Sequence, residues 1–358
     1  MKHSQATRID PIGRMLSLLM LSTITLGTAI HWHISNVGVF LPWTVAAVAL
    51  VAMIVLGKGD WLHRHMENAL AGPPWPWLIA AILINAVVLF IGHTEYGVTR
   101  WYGNEHFALR ASFWAMLPLL VFLTIFSRLE SPGLVPQIAS MAGLGMFTLA
   151  SYMQPDWFSL VVLFALAIYF GLLAKNHMRI WLPLTAISGL GIGFLYVVSA
   201  TYRWERLTSF LHSSSTDPQG QGFVLHQTQS AFEQAGLWGS DQSHLLNNAT
   251  QMMELEWSLL PQLSLWLGNV LMFTVLFLLV VFLVILALRA LYHADHNIKP
   301  LLMGSLILLV VSQVFAVAPS FGLLPHTGHY GIIGLHSGGT TLLALFALAL
   351  SWKSSQSV

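Results

Sequence analysis

The sequence predicts an all-α, polytopic membrane protein of about ten transmembrane helices, with a large extracytoplasmic loop between helices seven and eight. Three observations predict it. The 358 residues are 56% hydrophobic and only 8% charged, whereas soluble domains carry about a quarter charged residues. Apolar runs of roughly 18 to 28 residues recur from end to end, long enough to cross a bilayer as helices. Lysine and arginine gather on one side of the resulting frame.

The apolar windows fall at 14–31, 38–56, 75–92, 111–127, 134–151, 157–174, 180–200, 263–290, 301–318 and 331–352. The first follows Lys2, Arg8 and Arg14 as a secretory signal would, but no small-x-small cleavage site appears before His31, so a retained span is expected. An even number of spans puts both termini on one side. Lys2, Arg8, Arg14, Lys58, Arg64, Arg128, Lys175, Arg179, Arg289, Lys299 and Lys353 fall there, against Arg100, Arg110, Arg203 and Arg206 opposite. The positive-inside rule makes the terminal side cytoplasmic. No repeat divides the chain, and 1–358 reads as one transmembrane domain that contains the outer loop 201–262.

That loop carries six acids (Glu205, Asp217, Glu233, Asp241, Glu254, Glu256) and a turn-forming Asp217-Pro218-Gln219-Gly220. Its stretches 225–238 and 244–260 are apolar enough for helices lying in the membrane interface. The net charge of +1 and the lack of any basic cluster exclude a nucleic-acid partner. The absence of cysteine excludes thiolate nucleophiles and cysteine-ligated zinc.

Arg203 and Arg206 stand three apart, on one face of a continuing helix. Their planar forks suit the oxygens of a diphosphate, and interfacial anchoring or pairing with Glu205 accounts for them equally well. Glu254 and Glu256 precede the eighth span at the depth of a lipid headgroup. A carboxylate there can take a proton from a sugar hydroxyl, helped by apolar neighbours such as Trp257; exposed interfacial acids are the plainer alternative. Asp156 opens the sixth span, either as a helix cap or as a buried contact to the long loop. The histidines group at span ends without a ligand spacing such as HExxH, so no metal site is assigned. Gly143, Gly145, Gly189, Gly191 and Gly193 lie within apolar helices, where close helix packing explains them better than a nucleotide loop.

Several of these stretches together resemble the SEDS family of shape, elongation, division and sporulation proteins, represented by FtsW and RodA. Gln154-Pro155-Asp156 resembles the family's QPD segment, and Tyr202-Arg203-x-x-Arg206 with Phe210-Leu211 resembles its paired-arginine segment. Asp217-Pro218-x-Gly220-x-Gly222-Phe223 resembles its turn, with Gln227 and Gly236-Leu237-x-Gly239 in register behind. Gly322-Leu323-Leu324-Pro325 and Ser337-Gly338-Gly339-Thr340 resemble segments around its last outer loop. An EFxKL-type pattern is blurred at Glu105-His106-Phe107 to Arg110.

The resemblance implies peptidoglycan assembly in a bacterial cytoplasmic membrane, by polymerising lipid II, a disaccharide-peptide on undecaprenyl diphosphate. It implies a class B penicillin-binding transpeptidase and other division or elongation proteins as partners. Substrate contacts are expected at Arg203, Arg206, Gln227 and Asp156. No resident cofactor is indicated, and a divalent cation at the departing diphosphate is compatible with the chemistry. The family's basic Asp is missing: counting forward from Gly239 puts Ser258 at its position, and counting back from Leu267-Gly268, which resembles the family's leucine-glycine pair at the start of the eighth span, puts Trp257 there, while His212 and Thr327 replace two further polar positions. Two functions therefore stand: a glycosyltransferase in which Glu256, or else Glu254, is the base, and an inactive relative that binds the lipid-linked precursor or partner proteins.

Overall fold

The structure is a computed structural model, and it describes residues 59–95, 98–104, 107–130, 132–154, 156–174, 178–199, 223–239, 259–292 and 295–324, with six positions between 343 and 351. A short helix, α1 (Gly59–Ala71), meets α2 (Trp75–Ile91) at a bend of 100°. Pro73, Pro74 and Pro76 explain the corner, because proline ends one helix and is tolerated in the first turn of the next. Helix α1 lies where the hydropathy pattern shows only a connection between spans; it exposes Arg64, His65 and Asn68 and buries Leu70.

Between α2 and the next span the chain forms a small antiparallel sheet rather than a bare loop. Its strands β1 (His93–Glu95), β2 (Val98–Asn104) and β3 (Phe107–Arg110) lie in the order β1-β2-β3. The β-branched and aromatic run Val98-Thr99-Arg100-Trp101-Tyr102 suits a pleated surface packed on one face. Trp101 turns inward at 2% exposure, and the Tyr102 hydroxyl donates to the Ile84 carbonyl of α2 at 2.6 Å. Trp101 also pairs with Arg110 in register, which sets Arg110 at the threshold of the following helix.

The remaining helices are α3 (Ala111–Phe126), α4 (Leu134–Met153), α5 (Trp157–Leu173), α6 (Met178–Ser199), α7 (Phe223–Ala235), α8 (Leu259–Leu291) and α9 (Lys299–Val317). A 3-10 turn, Ala318–Phe321, continues α9. Seven of the expected windows, from 75–92 to 301–318 and excluding the loop, coincide with helices α2 to α6, α8 and α9 to within a few residues. The windows 14–31 and 38–56 lie outside the described residues, as do most of 331–352 and of the loop 201–262.

Helix α3 is the centre of the bundle, buried along nearly its whole length. Phe113 stacks on Phe158 of α5, whose ring meets Phe315 of α9 edge-on, so three helices share one aromatic contact. Lipid supplies no hydrophobic drive between helices, and association rests on close packing of small residues and on polar contacts. A Cβ at Gly193 of α6 would lie 2.6 Å from the Tyr152 ring of α4, and one at Gly143 would lie 2.6 Å from Leu78. Gly189 faces Thr148 likewise, whereas Gly145 and Gly191 have open space before them. The packing explanation therefore holds for three of these five glycines.

Candidate functional site

Asp156 is the buried charge around which the end of the bundle beside the sheet is organised. It stands directly ahead of α5 as its N-cap, with its carboxylate near the Ser159 amide at 3.5 Å and accepting from the Ser159 hydroxyl at 2.5 Å. The cap is thus present, together with a buried contact. Among the described residues the partner in that contact is Arg110, whose guanidinium donates to the carboxylate at 2.5 Å, together with the hydroxyl of Ser112. The side chain of Asp156 is fully enclosed and that of Arg110 is 6% exposed.

Burial alone would raise the carboxyl of Asp156. Arg110, the two serine hydroxyls and the more distant Arg100 outweigh it and hold the group down at about 2. Asp156 is therefore an anion at any physiological pH, with its lone pairs engaged. Such a group orients neighbours; it takes no proton from a substrate. Arg110 in turn lies over the Trp101 and Phe158 rings, 5.9 and 5.6 Å from their centroids, so its cation rests against two aromatic faces as well as being paired.

A second buried polar network ties α2 to α4. The Asn85 amide donates to the Phe147 carbonyl at 3.0 Å and to the Ser151 hydroxyl at 2.9 Å. Gln154 donates to both the backbone and side-chain oxygens of Asn85, at 2.6 and 2.8 Å. Within an apolar bundle such bonds fix the register of helices that packing alone would let slide.

The third feature joins two of the motifs. Helix α8 breaks at Gly268, whose φ of 82° is a left-handed conformation that favours glycine. The turn Gly236–Gly239 that ends α7 seats on this break. The Asn269 amide donates to the Gly236 carbonyl at 3.1 Å and the Val270 amide to the Leu237 carbonyl at 3.3 Å, while the Asn269 side chain donates to the Phe232 carbonyl at 2.8 Å. The orphan carbonyls at the end of one helix thus satisfy the orphan amides at the start of another. A Cβ at 268 would overlap the Leu237 carbonyl oxygen and the Gly239 nitrogen, so glycine is required twice over. Gly236-Leu237-x-Gly239 and Leu267-Gly268, well separated in sequence, are one structural unit.

Of the site residues expected from sequence, Arg203, Arg206, Glu254 and Glu256 lie outside the described residues. Gln227 lies on the second turn of α7. From Leu259 onward the chain leading into the break is helical, held by Leu260, Leu263 and Met272 against Phe232 and Val317. Sequence reasoning overlooked Arg110, Ser112 and Asn85. The available signal was a single cation and a single acid, Arg110 and Asp156, each opening an apolar run on the same side of the frame, where an unpaired charge would be costly.

These long apolar helices, with a buried Arg110–Asp156 pair at one end of the bundle, define a multi-pass α-helical membrane protein. The chain belongs to the family of cell cycle proteins that comprises FtsW, RodA and SpoVE, whose family model matches residues 12–350. It is similar to the probable peptidoglycan glycosyltransferase FtsW of Halothiobacillus neapolitanus, at 28% identity over 66% of this chain and 59% of that one. It is also similar to the FtsW of Tolumonas auensis, at 32% identity over 49% and 45%. The chain thus spans about half the length of the relatives it matches. Its fold resembles that of a chain in a peptidoglycan synthase complex coordinating polymerization and crosslinking, with a TM-score of 0.64 at 21% identity over 94% of this chain and 96% of that one. The Thermus thermophilus rod shape determining protein RodA is similar too, with a TM-score of 0.58 at 19% identity over 94% of both chains.

Proposed function

We propose that this protein polymerises lipid II into glycan strands on the outer side of the bacterial cytoplasmic membrane, with both termini in the cytoplasm. The observation that carries the reading is the docking of Gly236–Gly239 onto the break at Gly268, two family motifs joined in one unit at the entry to α8. The segment directly upstream of that entry holds Glu254 and Glu256.

In this reading Glu256, or else Glu254, removes the proton from the acceptor sugar hydroxyl as its oxygen attacks the anomeric carbon of the donor. The bond from that carbon to the diphosphate oxygen breaks, and the lipid diphosphate leaves. Arg203 and Arg206 hold its oxygens, and Gln227 contacts the sugar-peptide portion. Asp156 serves as a positioning residue through Arg110, because its own oxygens are already engaged. The same engagement leaves Asp156 no lone pair for a cation, so a divalent ion at the departing diphosphate would take its protein ligands elsewhere. A class B penicillin-binding transpeptidase is the partner that would crosslink the product, alongside other proteins of division or elongation.

The second reading, an inactive relative that binds the precursor or its partners as a scaffold, is favoured by Ser258 or Trp257 at the position of the family's Asp. Lipid II polymerisation by the purified full chain, with and without a transpeptidase, separates the two. Loss of product on the order of 100-fold to 10,000-fold in Glu256→Gln or Glu254→Gln is expected of a lost general base. Absence of product from every form, with lipid II binding retained and weakened by Arg203→Ala, would establish the scaffold.

A further inference from the structure

The turn that seats on Gly268 presents two large apolar side chains outward. Leu237 is 64% exposed and Trp238 is 76% exposed, although the backbone between them is fixed to α8. The Leu237 carbonyl accepts from Val270, and Val270 heads a row of outward apolar residues (Phe273, Phe277, Val280, Val284 and Leu288) three or four positions apart. That spacing marks one face of α8, and on a transmembrane helix an exposed face this apolar meets lipid. The side chains at the turn continue the face past the break at Gly268. Beside them Phe321 stacks between Phe232 and Phe273, so the apolar surface passes without interruption onto α7 and the end of α9. Among the described residues of α7 and its turn, the charge is Glu233, four residues before Leu237, and it is exposed.

We propose that Leu237 and Trp238 insert into the boundary between lipid headgroups and acyl chains, so that the turn anchors α7 to the bilayer surface at the height of the Gly268 break. The occupant of this surface is lipid. Trp is the side chain most suited to that boundary, with an apolar body and one polar N–H. The anchor adds to the hydrogen bonds at Gly268 by fixing the depth of α7 as well as its register with α8, and it does not depend on the enzymatic reading.

The chain has no cysteine, so Trp238→Cys in the full protein accepts a nitroxide label at one position only. In vesicles of phosphatidylethanolamine and phosphatidylglycerol, collision of the label with oxygen and with a water-soluble nickel chelate reports its depth. Labels at Glu233→Cys and Phe277→Cys supply the aqueous and acyl references. The expected result is an oxygen-to-nickel ratio at 238 between the two references, with a loss of nickel collisions relative to 233. Leu237→Cys should read the same, which guards against a local disturbance from losing the indole. Nickel collisions at 237 and 238 matching those at 233 would show a turn standing in water and overturn the proposal. Exclusion of both reagents would show that protein, this chain or a second copy, covers the turn, and would overturn it equally.

Discussion

Arg110 and Asp156 meet at 2.5 Å across 46 residues of sequence, one at the end of a strand and the other at the cap of a helix, both almost wholly enclosed. The pair holds together the sheet, α3 and α5. Removing either partner leaves an uncompensated buried charge, which costs roughly 3–5 kcal/mol, whereas replacing both with apolar groups of similar size costs far less. Asp156→Leu and Arg110→Met are each expected to lower thermal stability in detergent strongly. The double variant Arg110→Met with Asp156→Leu should recover much of the loss, and strict additivity of the two singles would show that the pair is not coupled.

The same pair sets a pH dependence. The Asp156 carboxyl is held at about 2 in the folded protein, below its ordinary value of 3.8. A depressed folded value gives stability that is complete above about pH 4 and is lost as pH falls toward 2. Thermal unfolding of the wild type should therefore weaken across that window, while Asp156→Asn, lower throughout, should lack this step. On the proposed mechanism, in which a glutamate is the base, the acid limb of a polymerisation pH profile should keep its midpoint in Asp156→Asn.

How much of this was legible in the sequence differs from element to element. The helices α2 to α6, α8 and α9 were visible because a bilayer demands long apolar runs, and their ends carry prolines, glycines or charges that mark the stop. The sheet at 93–110 was overlooked although Val98-Thr99-Arg100-Trp101-Tyr102 has strand composition, because a short connection between spans reads as loop when only hydropathy is followed. Helix α1 was overlooked for the same reason. Asp156 could be seen as a cap or as a contact, but its partner could not be chosen: Arg110 looked like one of four outer arginines, and nothing local ties a strand end to a helix cap 46 residues on. The union of Gly236–Gly239 with Gly268 was hidden in the same way. Each motif was legible, and only the fold shows that Gly268 lets one backbone touch the other while Gly236 and Gly239 turn the chain at positive φ to meet it.

The polar link between α2 and α4 should prove modest beside the ion pair. Asn85→Leu removes the donor to Phe147 and Ser151 and the acceptor of Gln154 at once. Interhelical hydrogen bonds in membranes average about 0.6 kcal/mol, so the loss expected from three such bonds is about 2 kcal/mol. Asn85→Asp, which keeps the size but adds a charge with no cation among its described partners, should be worse than Leu. Thermal unfolding of both variants checks the order.

Gly268 allows the sharpest structural test. Gly268→Ala must hold a Cβ where the Leu237 carbonyl oxygen and the Gly239 nitrogen already stand, and must do so at a φ of 82°. The left-handed backbone alone costs a non-glycine residue about 1–3 kcal/mol, and the overlap can be relieved only by moving the turn away. Leaving the break releases the end of α7, since the amides of Asn269 and Val270 tie the turn down, and the Asn269 side chain and the packing of Phe232 are then left to hold the helix. The expected outcome is protease cleavage between 223 and 239 at rates well above the wild type, while the apolar body of α8 beyond Val270 stays protected by lipid. Gly145→Ala, at a helix position with open space before it, should leave that cleavage unchanged. Equal resistance of Gly268→Ala and wild type would mean that the turn and the break are neighbours without being joined.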